Sequence, residues 1–147
     1  MSWLKGVSGD GYADAFSLSP GAEEADAAMR EQVRLGLGER DYALMSLVIA
    51  GLLGCPRFMD SVRGLLPAVE AVKVIEDWRE AGLSSKEQAA MVYVEKGTLR
   101  PHEAGPSDVE VLRAAGFNDT DILSLATAIA YQNHAMRVAA ALGVEPL

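Results

Sequence analysis

The sequence predicts an all-α protein, a single-domain helical bundle of about six or seven helices. Apolar residues recur at three- and four-residue steps along several segments, and capping residues or prolines precede those segments. No segment alternates apolar and polar residues as a half-buried strand would. Apolar residues make up 50% of the 147-residue chain and charged residues 23%, a composition typical of one globular domain.

The N-terminal part divides at residue 18. Residues 1–18 contain three glycines and show no helical period, so we interpret them as an arm whose aromatic residues pack against the body or a neighbouring subunit. Residues 19–147 form the single predicted domain. Ser19 followed by Pro20, with two glutamates close behind, predicts the start of a first helix that runs to about Leu35.

The next two predicted helices surround a break in the chain. The segment from about Arg40 to Leu53 is apolar on nearly all sides, which indicates a helix at the centre of the core. Pro56 then opens a third helix, and Pro67 ends or kinks it. Cys55 is therefore expected next to a helix N-terminus.

Capping signals mark the C-terminal half. An amphipathic helix is predicted from Pro67 to about Ala81. The segments Ser84-Ser-Lys-Glu87 and Ser107-Asp-Val-Glu110 both fit a capping box, and each predicts a further helix. Asn118 with Asp121 caps the last helix, which Gly143 ends.

Charge and composition exclude several kinds of function. The formal charge of -8 disfavours nucleic acid and anionic membranes as partners. We expect a cytoplasmic location, because the N-terminus has no secretory signal. Cys55 is the single cysteine, so only an intersubunit disulfide is conceivable. Neither metal-ligand spacing nor a nucleotide-binding fingerprint occurs, and we expect no metal and no cofactor.

A resemblance to a known family rests on two segments. Residues 130–137 read Ala-Tyr-Gln-Asn-His-Ala-Met-Arg after an acidic cap, and residues 44–55 form an apolar stretch that ends at Cys55. Together they resemble peroxidase-related members of the carboxymuconolactone decarboxylase and alkylhydroperoxidase D-like family, over roughly residues 35–143. The resemblance implies the alkylhydroperoxidase D-like helical fold and a homo-oligomer based on a dimer or a trimer.

The redox motif of that family is degenerate in this chain. Active members carry Cys-x-x-Cys-x-x-x-His and a glutamate about twelve residues ahead of it, which form a dithiol with its proton relay. Here Phe58, Val62 and Ala43 stand at the second cysteine, the histidine and the glutamate, and only Cys55 remains. One thiol cannot both reduce a peroxide and resolve the resulting sulfenic acid, so the usual alkylhydroperoxidase cycle is not expected.

Candidate site residues fall into two groups. Around the degenerate motif, Cys55 is a candidate catalytic thiol, Asp60 a candidate catalytic carboxylate and Phe58 a candidate substrate contact. On the last helix, Tyr131 and His134 are candidate acid–base groups. Ordinary explanations compete with these roles: a buried thiol for Cys55, a solvated charge for Asp60, and a surface or interface position for His134.

Two further polar residues of the last helix are candidate substrate-binding groups. Asn133 lies within an otherwise apolar stripe, and Arg137 follows one turn later. Buried polar groups require partners, so these side chains either bind a substrate or hydrogen-bond to adjacent helices.

Three functions remain open. The first is a non-redox small-molecule enzyme, related in manner to lactone decarboxylation, that acts on a small organic acid or lactone. The second is a one-cysteine antioxidant protein that uses Cys55 with an external thiol. The third is a catalytically silent oligomeric binding or accessory protein.

Overall fold

The computed structural model describes residues 2–145, and this part of the chain folds into eight α-helices without a strand. The prediction of an all-α fold is confirmed. Two short 3₁₀ turns, Trp78–Glu80 and Pro101–Glu103, join neighbouring helices. The helices in chain order are α1 Tyr12–Phe16, α2 Pro20–Leu37, α3 Glu39–Leu52, α4 Pro56–Arg63, α5 Ala68–Asp77, α6 Ser85–Leu99, α7 Pro106–Ala114 and α8 Asp119–Leu142.

The capping predictions hold for α6 and α8. The hydroxyl of Ser84 accepts a hydrogen bond from the Glu87 amide at 3.1 Å, and the Glu87 carboxylate accepts one from the Ser84 amide at 2.9 Å. Asn118 and Asp121 form the same reciprocal pair at the start of α8. Both boxes satisfy amide groups that a helix N-terminus leaves without partners.

The predicted cap of α7 is wrong. The helix begins at Pro106, and the carboxylate of Asp108 accepts a hydrogen bond from the Gly105 amide at 2.8 Å. Proline at the first helical position needs no amide partner and already has a helical φ, so it sets the start of the helix ahead of Ser107. Lys96 holds the same carboxylate at 2.5 Å, which ties α7 to α6.

The N-terminal arm contains one helix that its sequence did not predict. Five residues make up α1, which is too short to show a helical period. The carboxylate of Asp14 caps it by accepting a hydrogen bond from the Gly11 amide at 2.9 Å. Tyr12 is buried against the body with 2% exposure, whereas Trp3 and Leu18 remain exposed. The arm is therefore packed on the bundle through Tyr12.

The core is built around α3, in which residues 42–50 are all buried. This helix contacts α2, α4, α5, α6 and α8, as its nearly uniform apolar surface predicts. The longest helix, α8, packs against α2, α3 and α6 and ends at Gly143 in the left-handed conformation, with φ of 62°. Helices α2, α4 and α8 surround one end of α3 and leave a cavity there.

Candidate functional site

The candidate site is a cavity of about 240 Å³ between α2, α4 and α8, which we call the arginine cavity. Two arginines of α2, one helical turn apart, give it a cationic side. Phenol, amide and hydroxyl groups and several apolar side chains form the rest of its wall. Its lining residues are Tyr12, Arg30, Arg34, Tyr42, Phe58, Ser61, Val62, Leu65, Gln132, Ala135 and Met136.

The two arginines differ in how well their charge is compensated. Arg30 lies 3.1 Å from the buried carboxylate of Asp26. Arg34 reaches a carboxylate only at Glu39, at 3.8 Å, and the Glu39 side chain is 93% exposed. An ion pair that long and that exposed contributes little. The guanidinium of Arg34 also lies 5.5 Å from the centroid of the Tyr42 ring. Arg34 therefore offers the cavity a cation with little internal compensation.

Neutral hydrogen-bonding groups face these cations. Burial raises the pKa of the Tyr42 phenol, so this group stays protonated at neutral pH. The side-chain amide of Gln132 donates to the Ser46 hydroxyl at 2.9 Å, which fixes its orientation. The cavity thus combines fixed positive charge with neutral donors, an arrangement that suits an anionic oxygen.

Behind the cavity lies a buried carboxylate, Asp26, which accepts hydrogen bonds from two phenols. The hydroxyl of Tyr12 donates to it at 2.8 Å and that of Tyr131 at 3.3 Å. Arg30 additionally donates to the Tyr131 oxygen at 3.3 Å. Burial raises the pKa of Tyr131 to about 12, and burial together with the bond to Asp26 raises the pKa of Tyr12 still further. Both phenols are protonated donors at neutral pH.

Sequence reasoning missed Asp26 and Arg30. They stand four residues apart on α2, which in a sequence resembles an ordinary solvated ion pair on a helix surface. Only the packing of α1 and α8 over α2 buries the carboxylate. The available signal was the two tyrosines, Tyr12 and Tyr131, because a phenol that becomes buried needs a hydrogen-bond partner.

The thiol lies in a different place. Cys55 is the N-cap residue of α4, half-buried, and its Sγ donates to the Leu53 carbonyl at 3.6 Å. It faces a groove of about 490 Å³ that Trp3 and Arg57 also line. Phe58 lines both this groove and the arginine cavity, whereas Cys55 lines only the groove and the two arginines line only the cavity.

Solved structures with the same fold were found, whereas no protein-family model and no curated protein matches the chain. An uncharacterised peroxidase-related protein from Silicibacter sp. TM1040 superposes with a TM-score of 0.81 and 25% identity, over 92% of this chain and 75% of the other. A peroxidase-related protein from Ralstonia eutropha JMP134, described as an alkylhydroperoxidase AhpD core, superposes with a TM-score of 0.81 and 20% identity. The match covers 90% of this chain and 74% of the other. The chain has the alkylhydroperoxidase D-like fold.

A third structure agrees with this assignment. It is a protein of unknown function from Agrobacterium tumefaciens, described as a putative antioxidant defence protein AhpD. It superposes with a TM-score of 0.73 and 25% identity, over 90% of this chain and 96% of the other. The resemblance that the sequence indicated is therefore confirmed.

Apolar side chains stand at the three positions that the family resemblance aligns with the second cysteine, the histidine and the glutamate. Ala43 is completely buried in α3. Phe58 and Val62 are buried at 7% and 8% exposure and form part of the arginine cavity. No titratable side chain replaces the glutamate or the histidine at these positions.

The remaining predicted residues do not converge on one point. Asp60 lies on the outside of α4 with its side chain 73% exposed, 3.8 Å from Arg63. Tyr131 belongs to the Asp26 network. His134 is half-exposed beside that network, with its Nε2 3.9 Å from Asp26 Oδ1.

Asn133 and Arg137 line a separate groove between α6 and α8, which His134 also borders. The amide of Asn133 donates to the Thr98 hydroxyl and to the Ile129 carbonyl, each at 3.0 Å. The bond to Thr98 joins Asn133 to α6, which is one of the two alternatives that the sequence left open for this side chain.

Within residues 2–145, no group of three or more acidic, histidine or cysteine side chains is placed to hold a metal ion. No helix in the same part of the chain combines the length and apolar character needed to cross a bilayer.

Proposed function

We propose that the protein is a non-redox small-molecule enzyme on the alkylhydroperoxidase D-like scaffold, which binds a small organic acid or lactone in the arginine cavity. The observation that carries the proposal is the undercompensated charge of Arg34 beside a cavity that Phe58 and Val62 line with apolar side chains. A carboxylate is the simplest ligand for this arrangement, because a guanidinium binds it through two parallel hydrogen bonds.

The neutral donors of the cavity support chemistry in which negative charge develops on an oxygen. When a carboxylate is attached to the carbon beside a carbonyl group, its carbon–carbon bond can break so that carbon dioxide leaves and the electron pair forms an enolate with its charge on the carbonyl oxygen. A proton from water then adds to the carbon that lost the carboxylate. A protonated phenol such as that of Tyr42 stabilises such an oxyanion, and Arg34 holds a second anionic group of the substrate. Opening of a lactone places charge on oxygen in the same way.

The proposal is tested by calorimetric titration of the protein with small mono- and dicarboxylic acids and with unsaturated lactones. Arg34→Gln is expected to weaken binding of the best ligand by about tenfold, the usual effect of losing one charge-assisted hydrogen-bond pair. Arg63→Gln is the matched control, since it removes an equal charge from an exposed site on α4. Equal binding by the wild type and Arg34→Gln would contradict the proposal.

Turnover separates an enzyme from a binding protein. The bound compound is incubated with protein and its consumption followed by mass spectrometry. Tyr42→Phe is expected to lower the rate of consumption by about tenfold or more while binding changes less, because the phenol acts on charge that develops in the transition state. Binding without consumption would instead support the silent accessory protein.

A second candidate, a one-cysteine peroxidase, is supported by the position of Cys55. Its thiol is half-buried at the N-terminus of α4 and shares an open groove with Arg57. In such a reaction the thiolate attacks one peroxide oxygen, an alcohol leaves and a sulfenic acid forms; an external thiol then gives a mixed disulfide and water. A second equivalent of that thiol restores Cys55.

Alkylation of Cys55 as a function of pH distinguishes this candidate. A midpoint well below the ordinary thiol value of about 8.5, with rapid sulfenic acid formation by an organic peroxide, would support it. An ordinary midpoint with slow oxidation would exclude it. Cys55→Ser provides the blank for both measurements.

A further inference from the structure

The groove between α6 and α8 is separate from the arginine cavity and has about 480 Å³ of space. On α8 it is lined by Ile129, Asn133 and Arg137, which lie four residues apart and so share one face of the helix. The arginine cavity contacts Gln132 and Met136 on another face of α8. The two spaces therefore lie on different sides of the same helix.

One buried acceptor in the wall of this groove has no partner. Asn133 is only 6% exposed, and its amide nitrogen is engaged by Thr98 and by the Ile129 carbonyl. The carbonyl partner can only accept, so it fixes which end of the side-chain amide is the nitrogen. The other end, Oδ1, is buried and receives no hydrogen bond from any residue of the described chain. A buried acceptor in this state favours any ligand that brings a donor.

One helical turn further, Arg137 is an unpaired cation. Each of the other eight arginines lies within 4.0 Å of a carboxylate. Arg137 is exposed and forms no ion pair with any residue between 2 and 145, although acidic residues outnumber basic ones by 21 to 13 in the sequence. The groove thus presents an unpaired cation, and the unused acceptor is buried in its wall on the same helix face.

We propose that the α6–α8 groove is a second small-molecule site, selective for a compound with an anionic group and, about one helical turn away, a hydrogen-bond donor on an apolar body. The anion pairs with Arg137, and a small shift of the groove wall opens the buried Asn133 Oδ1 to the donor. Tyr93, Pro101 and Ile129 supply apolar surface for the body of the ligand. This site is independent of the one proposed above.

The site is tested with three probes that differ in one group each: 4-hydroxybenzoate, benzoate without the donor, and 4-hydroxybenzyl alcohol without the anion. We expect 4-hydroxybenzoate to bind about tenfold more tightly than either of the others, because each missing group leaves one protein group unpaired. Binding of 4-hydroxybenzoate is also expected to shift the NMR signal of the Asn133 side-chain amide. This comparison examines Asn133 without a core substitution.

Two charge variants locate the probe. Arg137→Gln is expected to weaken 4-hydroxybenzoate binding by about tenfold and to leave 4-hydroxybenzyl alcohol unaffected. Arg34→Gln, which alters the arginine cavity, is expected to leave the tenfold preference for 4-hydroxybenzoate over benzoate unchanged. The proposal is overturned if benzoate and 4-hydroxybenzoate bind alike, if none of the probes binds, or if Arg34→Gln rather than Arg137→Gln removes binding. If Arg34→Gln rather than Arg137→Gln removes binding, only the proposal for this groove fails, and the arginine cavity is the binding site.

Discussion

Replacing Asp26 by alanine tests how the arm, α2 and α8 are held together. The carboxylate is buried with its side chain 6% exposed, and it accepts hydrogen bonds from Tyr12 and Tyr131 and an ion pair from Arg30. In the variant both phenols lose their acceptor. Water reaches the Arg30 side chain, which is 28% exposed, so the arginine is resolvated in part.

The expected loss of unfolding free energy is about 3 kcal/mol, since each buried donor left without a partner costs about 1–2 kcal/mol. Removing the carboxylate also removes the desolvation cost of its buried charge. The expected loss therefore lies at the lower end of the roughly 3–5 kcal/mol seen for broken buried ion pairs. Tyr12→Phe alone is expected to cost about 1 kcal/mol, the usual worth of one hydrogen bond.

Urea unfolding of the wild type, Asp26→Ala, Tyr12→Phe and the double variant forms a double-mutant cycle. The double variant should be more stable than the two separate losses imply, by about 1 kcal/mol, because Tyr12→Phe removes a donor that Asp26→Ala would leave unpaired. Asp60→Ala is the control and should change stability by less than about 0.5 kcal/mol, since that carboxylate is exposed. Additive losses, or a loss at Asp26 no larger than the control, would refute the network as a source of stability.

Three further predictions concern other parts of the fold. Gly143→Ala should lower the free energy of unfolding by about 1–2 kcal/mol in urea, because φ is +62° and the new Cβ would lie 2.6 Å from the Trp3 ring. At Gly51 within α3 the new Cβ contacts no atom, so Gly51→Ala should not destabilise the protein. Equal effects of the two variants would contradict this prediction. The pKa of Tyr131 is raised to about 12 in the folded state, so its contribution to stability is full below pH 10 and is lost as pH rises towards 12. In the Tyr131→Phe variant, the free energy of unfolding should decline less steeply over this pH range. Arg40→Ala should lower the free energy of unfolding by about 1 kcal/mol or less, because half-exposed Arg40 bridges carboxylates of α5 and α6 at 2.6 Å. This loss should shrink in high salt. A loss that does not depend on salt would show that packing accounts for the effect.

Helix positions were predictable because their signals are local. Pro20 and Pro56 open α2 and α4, and the Ser84 and Asn118 boxes open α6 and α8, as the sequence predicted. In α7 two signals competed within three residues, and proline at the first position prevailed over the serine cap. The short α1 gave no periodic signal and depends on the packing of Tyr12 for its place.

The candidate site was predictable only in part. The family resemblance aligned Phe58 and Val62 with redox positions, and the structure places both side chains in the wall of a cavity. The sequence did not show that Arg30 and Arg34 form the other side. Charged residues on a helix look alike in a sequence whether they face water or a neighbouring helix, because their exposure depends on how distant elements pack.

The sequence by itself determined the all-α class, most helix boundaries and the loss of the dithiol, since propensity, capping and the identity of a residue are properties of a chain segment. Only the tertiary structure decided which polar groups meet. It buried Asp26 beneath α1 and α8 and placed Cys55 and the arginines in different spaces. It also left Asn133 Oδ1 without a donor from residues 2–145. These outcomes depend on contacts between residues far apart in the chain, and no local pattern encodes the distance between them.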